Sequence, residues 1–117
     1  MRIKNVIIKS EVFDDLLEII LSIEEPQNTI AFANGCQYSF EKHSFLNQNN
    51  FVLVVLVLKQ EGKTSIAFTC GGASTGLFIK FDWGTEISTI DKFFNEIELF
   101  LQSREIEYEI LVDEDCN

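Results

Sequence analysis

A chain of 117 residues, 46% hydrophobic and 24% charged, is one globular domain with room for a core and none for a second domain. Its formal charge of −10 excludes nucleic acid and anionic membrane as partners, since both are held by Lys and Arg that neutralise phosphate. With one histidine and three cysteines that form no CxxC pair, it offers neither a zinc site nor a disulfide framework, and no metal or cofactor is expected.

Ile3 to Ile8 reads as a short first strand. Ser10 then stands where a helix N-cap would, with Glu11, Asp14 and Asp15 favouring the dipole of a helix from Glu11 to about Glu24, which Pro26 ends. Phe13, Leu16, Leu17, Ile20 and Ile23 keep helical spacing, and Val12, Ile19 and Leu21 widen the stripe beyond one face. From Thr29 to Glu41 the period is two: Ile30, Phe32, Cys36, Tyr38 and Phe40 fall on one side, Ala31, Ala33, Gln37, Ser39 and Glu41 on the other. Asn34-Gly35 interrupts this run as a hairpin turn or a bulge, and the unbroken alternation favours the bulge.

After the polar stretch 47–50, Phe51 to Leu58 holds no polar residue and reads as a central strand covered on both faces. Glu61-Gly62 turns the chain into a strand in which Ile66, Phe68 and Cys70 alternate with Ser65, Ala67 and Thr69. A glycine-rich loop, Gly71 to Gly76, leads to a fifth strand, Leu77 to Trp83, closed by Gly84. The second helix runs from about Glu86 or Ser88 to Ser103 on the stripe Ile90, Phe93, Phe94, Ile97, Phe100 and Leu101, with Ser88 and Asp91 as a capping box. Ile106, Tyr108, Ile110 and Val112 alternate with glutamates as an edge strand, where charge discourages further pairing.

The order β-α-β-β-β-β-α-β gives an α+β two-layer sandwich: a mainly antiparallel sheet of five or six strands with two helices on one face. Residues 1–112 form the single domain and 113–117 an acidic C-terminal tail. If the helices cover the face bearing Phe32, Phe68 and Phe81, the opposite face shows Ala31, Ala33, Ala67 and Thr69 beside half of the apolar run, a surface that fits a second subunit in a homodimer. No signal peptide or membrane-spanning stretch is visible, so a cytoplasmic location is expected.

The segment Ser65 to Lys80, with Cys70-Gly71-Gly72-Ala73-Ser74-Thr75-Gly76 at its centre and Gly84-Thr85-Glu86 beyond it, resembles an uncharacterised family of short proteins from Gram-positive bacteria. In that family a strand ending in Gly-Gly-Ser leads to an aromatic-rich strand, a Gly-Glu pair and the last helix. The chain departs from the pattern at Ala73, inserted before Ser74, and at Thr85, which separates the pair. The resemblance supports the fold and implies no chemistry, because the family has no assigned function.

Catalysis has little to stand on. Ser74 or Thr75 would need a base, and His43 is remote in sequence. Phosphate binding at Gly71 to Gly76 would need a following helix N-terminus, whereas Lys80 falls within the expected fifth strand. Asp82 and Glu86, which flank Trp83, are the best carboxylate pair, with structural capping as the simpler role. The protein is therefore expected to be a non-enzymatic binding module without catalytic residues.

Its charge is uneven: residues 82–117 hold eleven acids against Lys92 and Arg104, while residues 1–81 hold eight acids against seven bases. Glu98, Glu105, Glu107, Glu109, Asp113 and Glu114 then form the surface for a basic protein partner, in the manner of an immunity or antitoxin-like protein. The alternative is a small apolar ligand between helices and sheet, entered beside Gly71, Gly72, Ser74, Thr75 and Trp83.

Overall fold

A computed structural model describes residues 1–44, 49–72 and 79–115. Six strands, β1 (Arg2–Ile8), β2 (Asn28–Phe32), β3 (Gly35–Ser44), β4 (Asn49–Gln60), β5 (Lys63–Gly72) and β6 (Tyr108–Asp115), and two helices, α1 (Phe13–Ile23) and α2 (Ile79–Ser103), follow the order β-α-β-β-β-β-α-β. The strands form one sheet in the order β2-β3-β4-β5-β1-β6, antiparallel throughout. The first strand thus sits between β5 and β6, and the sheet closes through contacts distant in sequence.

Both helices lie on one face. Leu16 and Ile20 of α1, and Ile90, Phe93, Phe94, Ile97 and Leu101 of α2, are buried in one cluster with Val6, Ile8, Tyr38, Phe40, Leu53, Val55, Val57, Ile66, Phe68 and Cys70 of the sheet. Phe40 meets Phe93 at 4.9 Å between centroids, and Phe68 meets Phe94 edge-on at 6.4 Å. Such ring pairs add specificity to the apolar burial that holds the layers together.

The residues Asn28–Ser44 form two strands. Phe32 pairs with Gly35 across the two-residue turn Ala33-Asn34, and the amide of Lys59 donates to the Asn34 carbonyl at 2.7 Å. A two-residue turn pairs even positions with odd ones, so Ile30 and Phe32 share a face with Gly35 and Gln37, opposite Cys36, Tyr38 and Phe40. The hairpin corrects the expected bulge and swaps the face assigned to β2. Gly35 is required by close approach: a Cβ there would stand 2.7 Å from Leu58 Cδ2, Phe32 Cε2 and the Val57 carbonyl oxygen.

The expected strand Leu77 to Trp83 is corrected too, since Ile79 to Trp83 are the first turns of α2 and 77–78 lie outside the described residues. Ile79, Trp83, Ile87, Ile90, Phe94, Ile97 and Leu101 recur every three or four positions, one helical stripe that outweighs the local alternation. Gly84 within the helix costs about 1 kcal/mol, little against the burial of Ile90, Phe93, Phe94, Ile97 and Leu101. At the other helix, Val12 is the N-cap and makes no side-chain cap bond. Thr64 replaces Ser10 in that role: its buried hydroxyl accepts from the Val12 amide and donates to the Ser10 carbonyl, both at 2.9 Å. Finally, β6 runs to Asp115, so Asp113 to Asp115 belong to the sheet and not to a tail.

Candidate functional site

Among the described residues, nothing covers the face of the sheet away from the helices, and the centre of that face is apolar. By alternation it carries Ile30 and Phe32 of β2, Val52, Val54, Leu56 and Leu58 of β4, Ala67 and Thr69 of β5, and Ile3 and Ile7 of β1. Ile30 is 53% exposed and Phe32 44%. Leu111, extruded at the bulge between the Asn5–Val112 and Val6–Ile110 pairs, is 55% exposed and lines a shallow groove of about 260 Å³ with Asn5, Ile7, Leu58 and Ala67. Of the small residues expected on this face, Ala67 and Thr69 lie there; Ala31 pairs with Cys36 on the helix side, and Ala33 is in the turn.

The acids of the C-terminal third divide into two groups. Asp113 stands opposite Lys4 and Asp115 opposite Arg2 in the β1–β6 ladder, and Arg2 reaches Asp113 at 2.5 Å and Asp115 at 4.0 Å. Lys4 is buried, with its ammonium 3.6 Å from Asp113 and 3.9 Å from the centre of the Phe94 ring. Glu98 on α2 accepts from the Tyr108 hydroxyl, a hydrogen bond that holds this phenol above its ordinary value of 10. These acids complete the fold.

Glu105, Glu107 and Glu109 form the second group, exposed along the α2–β6 connection and the sheet edge, with no ion pair among the described residues. Glu105 adopts φ 57°, and the amides of Ile106 and Glu105 donate to the Leu101 and Gln102 carbonyls. This is the left-handed helix stop that glycine ordinarily occupies, and a glutamate there meets both backbone strain and the negative end of the helix dipole. Glu114 extends the acidic edge on β6 opposite Ile3.

The other expected site residues are dispersed. Gly71 and Gly72 continue β5, paired with Val52 and Phe51. Gly71 has an ordinary strand backbone and a Cβ there would meet only Met1, at 3.6 Å; the positive-φ glycine among the described residues is Gly62, with φ 73° in the β4–β5 turn. Ser74 and Thr75 lie outside the described residues, and Asp82, Trp83 and Glu86 have their backbone in α2. Among the described residues, no group of three or more His, Cys, Asp or Glu side chains is placed to hold a metal ion. No helix among them is long and apolar enough to cross a membrane.

Two clusters escape the sequence. Glu24, just past α1, meets Lys42 of β3 and Lys92 of α2, the latter at 3.3 Å; burial would raise its carboxyl, but the two lysines hold it below the ordinary value. Tyr38 is pushed up to about 12 by burial and by its hydrogen bond with Cys36. The alternation of β3 placed Tyr38 in the core, and only its partner was invisible.

Comparison with known proteins finds one family model, a family of unknown function designated DUF6054, which matches residues 17–101. The match runs from within α1 to the end of α2 and leaves β1 and β6 outside it. No curated protein and no solved structure matches the chain.

Proposed function

The chain belongs to this family of unknown function, and from that premise we propose that it is a non-enzymatic protein-binding module whose acidic C-terminal surface engages a basic protein, in the immunity or antitoxin-like manner. The observation that carries the reading is the division of the acids. Arg2 and Lys4 neutralise Asp113 and Asp115, while Glu105, Glu107 and Glu109 stay exposed side by side. A solubility role would be served equally well by acids anywhere on the surface.

Glu105 supports the same reading, since glycine at φ 57° would be more stable by about 1 kcal/mol. A residue kept against local stability is a sign of function, and a carboxylate beside a helix C-terminus strengthens the negative field that a basic partner meets.

The test is affinity capture from a cell extract with the wild-type chain and with the E105K/E107K/E109K variant, at low and high salt. A basic protein held by the wild type at low salt, released at high salt and not held by the variant fits the proposal, because exposed charge pairs are screened within about 3 Å at 1 M salt. Identical retention by both chains contradicts it.

A further inference from the structure

We propose that the open face of the sheet is the interface of a homodimer, two copies packing face to face with their helices outward. This rests on the apolar face, with which the acidic surface of Glu105, Glu107 and Glu109 shares only Glu109, so a monomeric chain leaves the binding reading standing and a failed capture leaves the dimer standing. The first support is chemical. The middle of the face, where Val54, Leu56, Ala67 and Thr69 meet Ile7 and Asn5, carries no charge in a chain of net charge −10, and Ile30, Phe32 and Leu111 stand exposed around it. Contiguous apolar surface of this extent on a soluble domain marks an interface.

The second support is size. Six strands about 4.8 Å apart, each presenting about six residues at about 3.3 Å, span roughly 600 Å² in projection, and a pleated surface has more accessible area than its projection. A specific complex of standard size buries about 800 Å² per partner, so one face of this sheet is enough and no second surface is needed.

The third is charge, and it selects a second copy as the occupant. Alternation puts Lys9 and Lys63 at the end of the face beside the β4–β5 turn, with Glu109 opposite Ile7 at the β6 edge, and puts Glu41, paired with Val52, and Glu114, opposite Ile3, at the other end. A twofold axis in the plane of the sheet and across the strands reverses one copy end for end. The lysine end of each copy, two bases against one acid, then meets the two acids at the far end of the other around a neutral apolar centre, an isologous interface with net attraction at both ends. Sheets packed this way lie about 10 Å apart, close enough for the two sets of side chains to interdigitate.

Size-exclusion chromatography with light scattering, from micromolar to millimolar concentration, is the test. The wild type should run as a dimer. Ala67→Glu, at the neutral centre, should be monomeric with an unchanged far-ultraviolet dichroism spectrum. Lys63→Glu and Glu41→Lys, both at exposed positions that leave the fold intact, should each weaken the dimer several-fold, and adding Glu41→Lys to Lys63→Glu should recover part of the loss. A wild-type chain that stays monomeric throughout overturns the proposal. So does a dimer that survives the charge reversals singly, or a double reversal weaker than Lys63→Glu alone.

Discussion

The strand β4 has two faces of nearly the same composition and opposite surroundings. Phe51, Leu53, Val55 and Val57 are buried under the helices, while Val52, Val54, Leu56 and Leu58 look out from the uncovered face. Hydrophobicity alone cannot tell these sides apart, since both consist of branched aliphatic residues, with one ring, Phe51, on the covered side. The difference lies in what the rest of the chain supplies: two amphipathic helices, which cover one face of a sheet and leave nothing for the other. A strand apolar on both sides therefore calls for a second cover, which the chain itself does not contain among its described residues.

The sharpest way to break this comparison is to truncate each side. Leu53→Ala, at a site with no exposure, should lower stability by about 2 to 5 kcal/mol through lost burial and the cavity left behind. Leu56→Ala on the open face should lower the stability of the monomer by less than about 1 kcal/mol while weakening self-association. Urea denaturation at low and high protein concentration separates the two effects. Equal losses in the monomer would mean that the open face is packed within one chain.

Two glycines sharpen it next. Gly35→Ala forces a Cβ against Leu58, Phe32 and the Val57 backbone and should cost about 1 to 3 kcal/mol. Gly71→Ala, with only the Met1 side chain nearby, should change stability by less than about 0.5 kcal/mol. Thermal melts of the two variants, recorded side by side, check the contrast.

The acids allow a similar contrast between the interior of the fold and its surface. Asp113→Ala leaves the buried Lys4 ammonium without its carboxylate and should cost about 1 to 2 kcal/mol, a loss moderated because Asp113 is partly exposed. Glu109→Ala should stay within about 0.5 kcal/mol of the wild type by urea denaturation. The last contrast concerns Tyr38 on the covered face, and it shows only at alkaline pH. Its phenol titrates at about 12 in the folded protein and near 10 when free, so its contribution is complete below pH 10 and is lost as the pH rises toward 12. Tyr38→Phe should remove that part of the alkaline slope in a stability profile.

Much of the architecture was legible from periodicity, because β4, β5 and α2 carry patterns set by their own neighbours in sequence. Two elements were not. The hairpin at Ala33-Asn34 preserves the look of alternation while exchanging the faces of Ile30 and Phe32, so its presence shows only in the pairing of Phe32 with Gly35. Ile79, Phe81 and Trp83 satisfy a period of two and Ile79, Trp83 and Ile87 a period of four, and the helix prevails because its stripe continues to Leu101. The order of elements agrees with expectation because one strand was gained where another was lost.

The open face was legible in β4, whose apolar run promised more burial than two helices provide. The division of the acids was not, since it depends on β1 lying beside β6, residues more than a hundred positions apart. Nor could sequence place Lys4 on the ring of Phe94, a contact made when α2 closes over β1.

The most direct test of the uncovered face is sedimentation equilibrium of the wild-type chain at neutral pH and moderate salt. The expected result is a mass twice that of the chain at micromolar concentration, falling to the monomer only on dilution. A single mass of 13.4 kDa up to millimolar concentration would contradict the account.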